Sequence, residues 1–309
     1  MKSELVMPVE MDADLAEPGL LSDLASLTKA RLSLLVIITT FVGYCLATPS
    51  PVNWLQLINA TLGTALAAAG AGALNQWMEV RVDRLMERTR NRPLPAGRMR
   101  RITALLIGLG CSGAGVAWLA WTCNAMSAWL AAATVIIYIA FYTPLKRKTS
   151  LCTIVGAISG AIPPVIGWVA ARPAGAVSGP GVFDLGAWVL FGVLFTWQMP
   201  HFLAIAWMYR DEYAQAGFVM LRRDDAGGSS TALESLWFTI ALVTITFIPF
   251  WSGLLSDTYL AGALLLDAAM FGCAVRFLVE RSRPAARMLF FASISFLPLI
   301  LGLMVLTRA

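Results

Sequence analysis

The chain has 309 residues, of which 58% are hydrophobic and 13% charged, and a formal net charge of +5; its mean hydropathy is +0.72. A water-soluble domain carries roughly twice that charged share, so the composition excludes a soluble globular protein and points to a polytopic membrane protein. Backbone groups in lipid must be hydrogen-bonded within the chain, so the long apolar runs are expected to be helices.

Residues 1–27 hold Glu4, Glu10, Asp12, Asp14, Glu17 and Asp23 and no apolar core segment, unlike a secretory signal or an organellar transit peptide. They are expected to form a poorly ordered cytoplasmic tail, with 28–309 a single transmembrane domain whose first span acts as the insertion signal. Nine spans are expected, at about 30–48, 54–78, 102–121, 125–143, 151–171, 186–208, 236–255, 259–278 and 287–307. Cys45, Cys111, Cys123, Cys152 and Cys273 lie in or beside these runs without CxxC spacing, so they read as small core residues.

The connections fall into two kinds. "TPSPVN", "TCNA" and "SDTY" are short and almost free of basic residues, whereas 79–101, 144–150, 209–235 and 279–286 are rich in Arg and Lys. With nine crossings, Lys2, Lys29, Arg31, the Arg residues from 81 to 101, Lys146, Arg147, Lys148, Arg210, Arg222, Arg223, Arg276, Arg281, Arg283 and Arg287 share one face. Only Arg172 and Arg308 fall on the other. The positive-inside rule makes the crowded face cytoplasmic, with the N-terminus inside. The net charge is thereby accounted for without a nucleic-acid partner.

At the cytoplasmic end of the second span stands "NQWMEVRVDRLMERTRNRPLP". Asn75, Glu79 and Asp83 recur every four residues, which on a helix makes a stripe drifting only ~80° while climbing ~12 Å. Acidic side chains at membrane depth normally face the bundle interior or a wet cavity. The simpler alternative is a solvated helix end with Glu79 paired to Arg88 or Arg81. An amide and carboxylates are hard oxygen ligands suited to Mg²⁺, and guanidinium groups such as Arg88 and Arg92 match phosphate oxygens. Pro93 and Pro95 then turn the chain back. Together these describe a place to hold a diphosphate.

"FYTPLKRKT" ends the fourth span with Tyr142, Lys146, Arg147 and Lys148, which alone would be an ordinary aromatic and basic anchor. "WQMPHFLAIAWMYRDEYAQAG" ends the sixth span with Asp211, Glu212 and Tyr213. Asp211 occupies, four helices later, the topological position of Asp83, which suggests a metal site shared between the halves. His201 is the sole histidine; in such a span it is more simply a helix-to-helix hydrogen bond, with Trp197, Gln198 and Trp207 as packing. Pro200 and Pro163–Pro164 are expected to kink their spans, and Gly156, Gly160 and Gly167 to form a close packing face.

These three segments resemble the motifs of the intramembrane UbiA-type prenyltransferases, and the PHFLAIAW block is similar to the haem-farnesylating branch. The resemblance covers about 28–225, more loosely the remaining spans. It implies an all-α bundle of nine transmembrane helices around a central cavity, capped on the cytoplasmic side. It implies transfer of a farnesyl group from farnesyl diphosphate to haem b in a bacterial inner membrane, with Mg²⁺ as cofactor. By the same resemblance Asn75, Glu79, Asp83 and Asp211 hold the metal; Arg88, Arg92, Lys146, Lys148 and Tyr142 meet the diphosphate; Tyr213 binds substrate; and His201 lies toward the porphyrin, as an iron ligand or as a propionate or proton partner. Asp83, Asp211 and Lys146 become the catalytic set, and the partners extend to the lipid bilayer and to a haem A synthase or terminal oxidase assembly.

The chain departs from that pattern in places. Gln215 stands where the superfamily often has a further Asp, leaving Asp224 and Asp225 as weak substitutes. Ala30 replaces a usual Pro, and Phe218–Val219 a usual Val-Pro. Two rival readings share part of the signal: a prenyltransferase acting on a quinone precursor or chlorophyllide, and a transporter of amphipathic anions.

Overall fold

The structure, a computed structural model, describes residues 19–48, 51–172, 181–182, 184–222 and 224–308, without the side chain of Arg31. Residues 1–18 of the expected tail, with Lys2, and Arg223 lie outside the described residues. The end of that tail differs from expectation, because Leu20–Leu27 is a helix, α1. Its stability comes from partners distant in sequence. Asp23, 6% exposed, accepts three hydrogen bonds of 2.8–3.1 Å from Arg98. Gln76 donates to the Ser26 and Leu27 carbonyls at 2.6 and 3.2 Å, satisfying groups that a helix end leaves open.

Lys29 then adopts a left-handed backbone conformation, φ 52°, and the chain bends by 58° into α2, Ala30–Ala47. Next come α3 (Trp54–Asp83), α4 (Arg101–Thr122) and α5 (Ala125–Ile136). A π-helical turn over Ile137–Tyr142 joins α5 to the short α6 (Thr143–Leu145). The fifth expected span is broken at Ile162 into α7 (Cys152–Ala161) and α8 (Pro163–Ala170), because two successive prolines remove two backbone donors and suit the first turn of a helix. By contrast, α9 (Leu185–Met208) carries Pro200 without a break. The short α10 (Arg210–Gln215) precedes α11 (Ser229–Trp251), α12 (Asp257–Glu280) and α13 (Arg283–Leu306).

Among the described residues, eight of these segments are long and apolar enough to cross a membrane by length and composition, and the count is nine if the bent α1–α2 pair is taken as one span. Two boundaries move appreciably. The second span runs on to Asp83 rather than ending near 78, which places Glu79 and Asp83 on the helix. The seventh begins at Ser229 rather than 236, because the buried Asp225 carboxylate accepts from the Ser230 and Thr231 N–H groups at 3.0 and 2.8 Å.

Small residues let the helices approach. On α2 and α8 the contact is reciprocal: a Cβ on Gly43 would lie 1.9 Å from the Pro164 carbonyl oxygen, and one on Gly167 would lie 1.9 Å from that of Thr40. The expected close packing is present at all three glycines, but on different partners: Gly167 meets the Thr40 carbonyl, Gly156 the Tyr142 ring and Gly160 the Gln198 amide on α9. The largest apolar core joins α9, α11, α12 and α13, and a second core joins α2, α3, α5 and α8. Trp54, Trp121, Trp129, Trp188 and Trp251, all more than half exposed, lie near the helix ends away from the basic loops, where indole rings favour a bilayer interface.

Between the two cores lies a cavity of about 290 Å³, walled by α2, α3, α5 with its π turn, α7 and α9.

Candidate active site

The last turns of α3 carry Asn75, Glu79 and Asp83 at 0%, 7% and 1% exposure. Each meets a cation from a different segment. Lys29 Nζ donates to Asn75 Oδ1 at 2.5 Å, Lys146 Nζ to both Glu79 oxygens at 2.9 and 3.2 Å, and Arg92 Nη1 to Asp83 Oδ2 at 2.9 Å. Asn75 Nδ2 donates in turn to Thr143 Oγ1 at 2.9 Å, which fixes the amide orientation. Glu79 thus pairs with neither Arg81 nor Arg88, and the solvated helix end is excluded by burial.

The π turn sets the next wall. Its wider coil presents Tyr138 and Tyr142 to the cavity, ring centroids 5.2 Å apart. π-helical turns are rare and often sit at functional sites. Lys29 Nζ also donates to the Tyr138 hydroxyl at 3.0 Å, and Lys146 Nζ lies 4.5 Å from the Tyr142 ring centroid. Burial alone would pull the Lys146 pKa down, but Tyr142 and Glu79 beside it outweigh that and hold the ammonium above the ordinary lysine value.

The loop after α9 closes over this region. Arg88 donates from its backbone to Glu212 Oε1 at 3.3 Å and from Nη2 to the Tyr213 hydroxyl at 3.5 Å. Val82, Met86, Ala216 and Phe218 form a small apolar cluster with Tyr213 between the two loops. Val219 N–H donates to the Lys146 carbonyl at 2.7 Å, a bond that a proline at this position could not make. The Phe218–Val219 departure therefore ties the loop to the Lys146 segment.

Not every expected residue converges. The Asp211 side chain is 62% exposed and pairs outward with Arg283 Nη2 at 2.8 Å and Arg210 Nε at 3.8 Å. Lys148 is exposed. Neither weak substitute serves: Asp224 pairs with Arg222 on the surface at 3.0 Å, and Asp225 caps α11. Among the described residues no three His, Cys, Asp or Glu side chains gather as a metal cluster. What remains on α3, an amide oxygen and two buried carboxylates, still suits a hard divalent ion. Mg²⁺ needs only one or two protein carboxylates and takes its other oxygens from phosphate and water.

His201 lines the cavity from α9, stacked between Trp197 and Phe290 at centroid distances of 5.2 and 5.0 Å. Its Nδ1 lies 2.8 Å from Ser293 Oγ on α13, so the simple helix-to-helix hydrogen bond exists. The same ring is nevertheless part of the cavity wall. Lys29, Tyr138 and Ser293 were not among the expected site residues. Lys29 was counted only among the basic residues of the cytoplasmic face, although a lysine immediately before an apolar span was a signal. Tyr138 stands four residues before Tyr142, and Ser293 gave no signal in an apolar run.

The chain matches the UbiA prenyltransferase family over residues 36–297. It is 42% identical over 295 residues to the protoheme IX farnesyltransferase of Solibacter usitatus, covering 93% of this chain and 98% of that one. In fold it is similar to a digeranylgeranylglyceryl phosphate synthase, with a TM-score of 0.78 at 13% identity, covering 93% of this chain and 98% of the other. It is also similar to an Archaeoglobus fulgidus UbiA homologue bound to GPP and Mg²⁺, with a TM-score of 0.63 at 15% identity over 92% and 99% of the two chains. Sequence match and fold agree: this chain belongs to the UbiA prenyltransferase family.

Proposed function

We propose that the protein is a haem O synthase, transferring the farnesyl group of farnesyl diphosphate to a vinyl group of haem b. The observation that carries this reading is the junction of two environments. A buried acid stripe matched by Lys29, Lys146 and Arg92 lies beside an apolar cavity bearing a histidine, and Lys29 belongs to both. A prenyl diphosphate has the same two ends. The identity to protoheme IX farnesyltransferases selects haem b among prenyl acceptors.

In this reading the diphosphate sits at the cytoplasmic end of α3, and Lys146, Arg92 and Arg88 take its oxygens. Bound Mg²⁺, held by Asn75, Glu79 and Asp83, would neutralise the charge on the leaving group. The allylic C–O bond breaks and its electron pair leaves with diphosphate, while the fixed cations stabilise the charge gathering there. The apolar walls, among them Val36, Ala67 and Leu194, keep water from the allylic cation. The haem vinyl group supplies the electron pair for the new C–C bond. Water then adds at the adjoining carbon with loss of a proton, giving the hydroxyethylfarnesyl side chain. We assign the site to the cytoplasmic face of a bacterial inner membrane, with the product passing to a haem A synthase or a terminal oxidase. Asp211 contributes here only if substrate draws it from Arg283.

Asp83→Ala tests the reading. Product formation should fall by roughly 10²–10³-fold or more, as when a transition-state electrostatic group is removed, with membrane insertion unchanged. Full turnover would remove Asp83 from the site. Unchanged activity of His201→Ala would favour a quinone precursor or chlorophyllide as acceptor.

A further inference from the structure

His201 is held in a way that specifies where its ring proton lies. Ser293 Oγ is 2.6 Å from the Phe290 carbonyl oxygen and 2.8 Å from His201 Nδ1. Two oxygens at 2.6 Å require a proton between them, and the carbonyl has none to give. The single hydroxyl proton of Ser293 is therefore spent on Phe290. The contact to Nδ1 then needs its proton from the imidazole, which makes His201 the Nδ1–H tautomer and leaves the lone pair on Nε2. Among the described residues nothing hydrogen-bonds to Nε2, and it is not one of the sealed, unpartnered polar atoms. It is the nitrogen left accessible on a residue that lines the cavity.

The surroundings prevent the ring from adopting another arrangement. Trp197 and Phe290 sandwich it at 22° and 28°, so a half-turn that would replace Nδ1 by a carbon must displace both rings. Ser293 is itself fully buried and anchored a second time, its carbonyl accepting from Trp197 Nε1 at 2.6 Å. Two helices, α9 and α13, thus converge on one imidazole nitrogen. A histidine that serves as a metal ligand commonly has its other nitrogen fixed in this manner by a second group.

We infer that Ser293 is a positioning residue, fixing the His201 tautomer so that Nε2 offers its lone pair to the iron of the tetrapyrrole substrate. This rests on the haem reading of the cavity, and the test separates the two. Because His201 is the sole histidine, protein grown on ¹⁵N-histidine and reconstituted in bilayers gives one imidazole, readable without assignment among others. Wild type should show a protonated Nδ1 and a bare Nε2. Ser293→Ala should redistribute the proton between the nitrogens, and Ser293→Thr, which keeps the hydroxyl, should restore the wild-type ring. Zinc protoporphyrin IX, a diamagnetic probe, should shift the Nε2 resonance and bind at least about tenfold more weakly to Ser293→Ala, as for loss of a ligand-orienting group. A wild-type ring protonated on Nε2, or an unchanged ring in folded Ser293→Ala, overturns the positioning role. A probe that binds without moving Nε2 overturns the ligand role. No binding of the porphyrin at all instead overturns the haem reading.

Discussion

Replacing Lys146 by Met is the most revealing single change to the charged end of the site. The Lys146 and Glu79 side chains are 11% and 9% exposed, and the ammonium bridges both carboxylate oxygens at 2.9 and 3.2 Å. Removing the ammonium strands a carboxylate in a buried wall, a loss of about 3–5 kcal/mol for a pair of this kind. Most of that cost belongs to the orphaned charge rather than to the pair. Glu79→Gln combined with Lys146→Met should therefore recover the greater part of it, and the cycle of single and double variants should show strong coupling. Thermal unfolding in detergent, followed by circular dichroism, reads all four proteins.

The pH dependence follows from the direction of the lysine shift. The folded Lys146 pKa is raised, so its contribution is fully present below the ordinary lysine value of about 10.4 and is lost only as pH rises through the folded value. The difference between wild type and Lys146→Met should accordingly stay level between about pH 7 and pH 9. A Lys146→Met protein as stable as wild type would refute the reasoning. So would a double variant no better than the single one.

Two further outcomes test the assignment of neighbouring residues. Asp225→Ala should destabilise the protein by about 1–2 kcal/mol, because it strips the cap from α11, while leaving the Mg²⁺ concentration dependence of turnover unchanged; a shifted dependence would return Asp225 to the metal site. Gly167→Ala places a methyl group 1.9 Å from the Thr40 carbonyl oxygen, a backbone atom that cannot swing away. A loss of about 3 kcal/mol is expected from such overpacking, seen as a lowered yield of folded protein, and a normal yield would show that α2 and α8 can separate.

Spans were legible because eight helices carry continuous apolar runs, and the break at Pro163 was legible because proline acts locally. The Asn75, Glu79 and Asp83 stripe was legible through its four-residue period. Its cationic partners were not, since Lys29 and Lys146 reach it from segments 46 and 67 residues away. Helix α1 escaped notice for the same reason: Asp23 reads as a solvated acid until Arg98 is brought against it. Asp211 was expected at the end of the sixth span but lies in the separate short α10, and Arg283 on α13, which captures its carboxylate, has no local signature. The orientation of His201 depends on one serine hydroxyl and two aromatic faces from other turns and helices, which no spacing encodes.

Farnesyl transfer to haem b is tested most directly with purified protein in detergent, supplied with haem b, farnesyl diphosphate and Mg²⁺ and assayed by mass spectrometry. A product heavier than haem b by one farnesyl group and one hydroxyl is expected, absent when Mg²⁺ is chelated. Haem b recovered unchanged from folded protein, or product formed at full rate without a divalent ion, would contradict it.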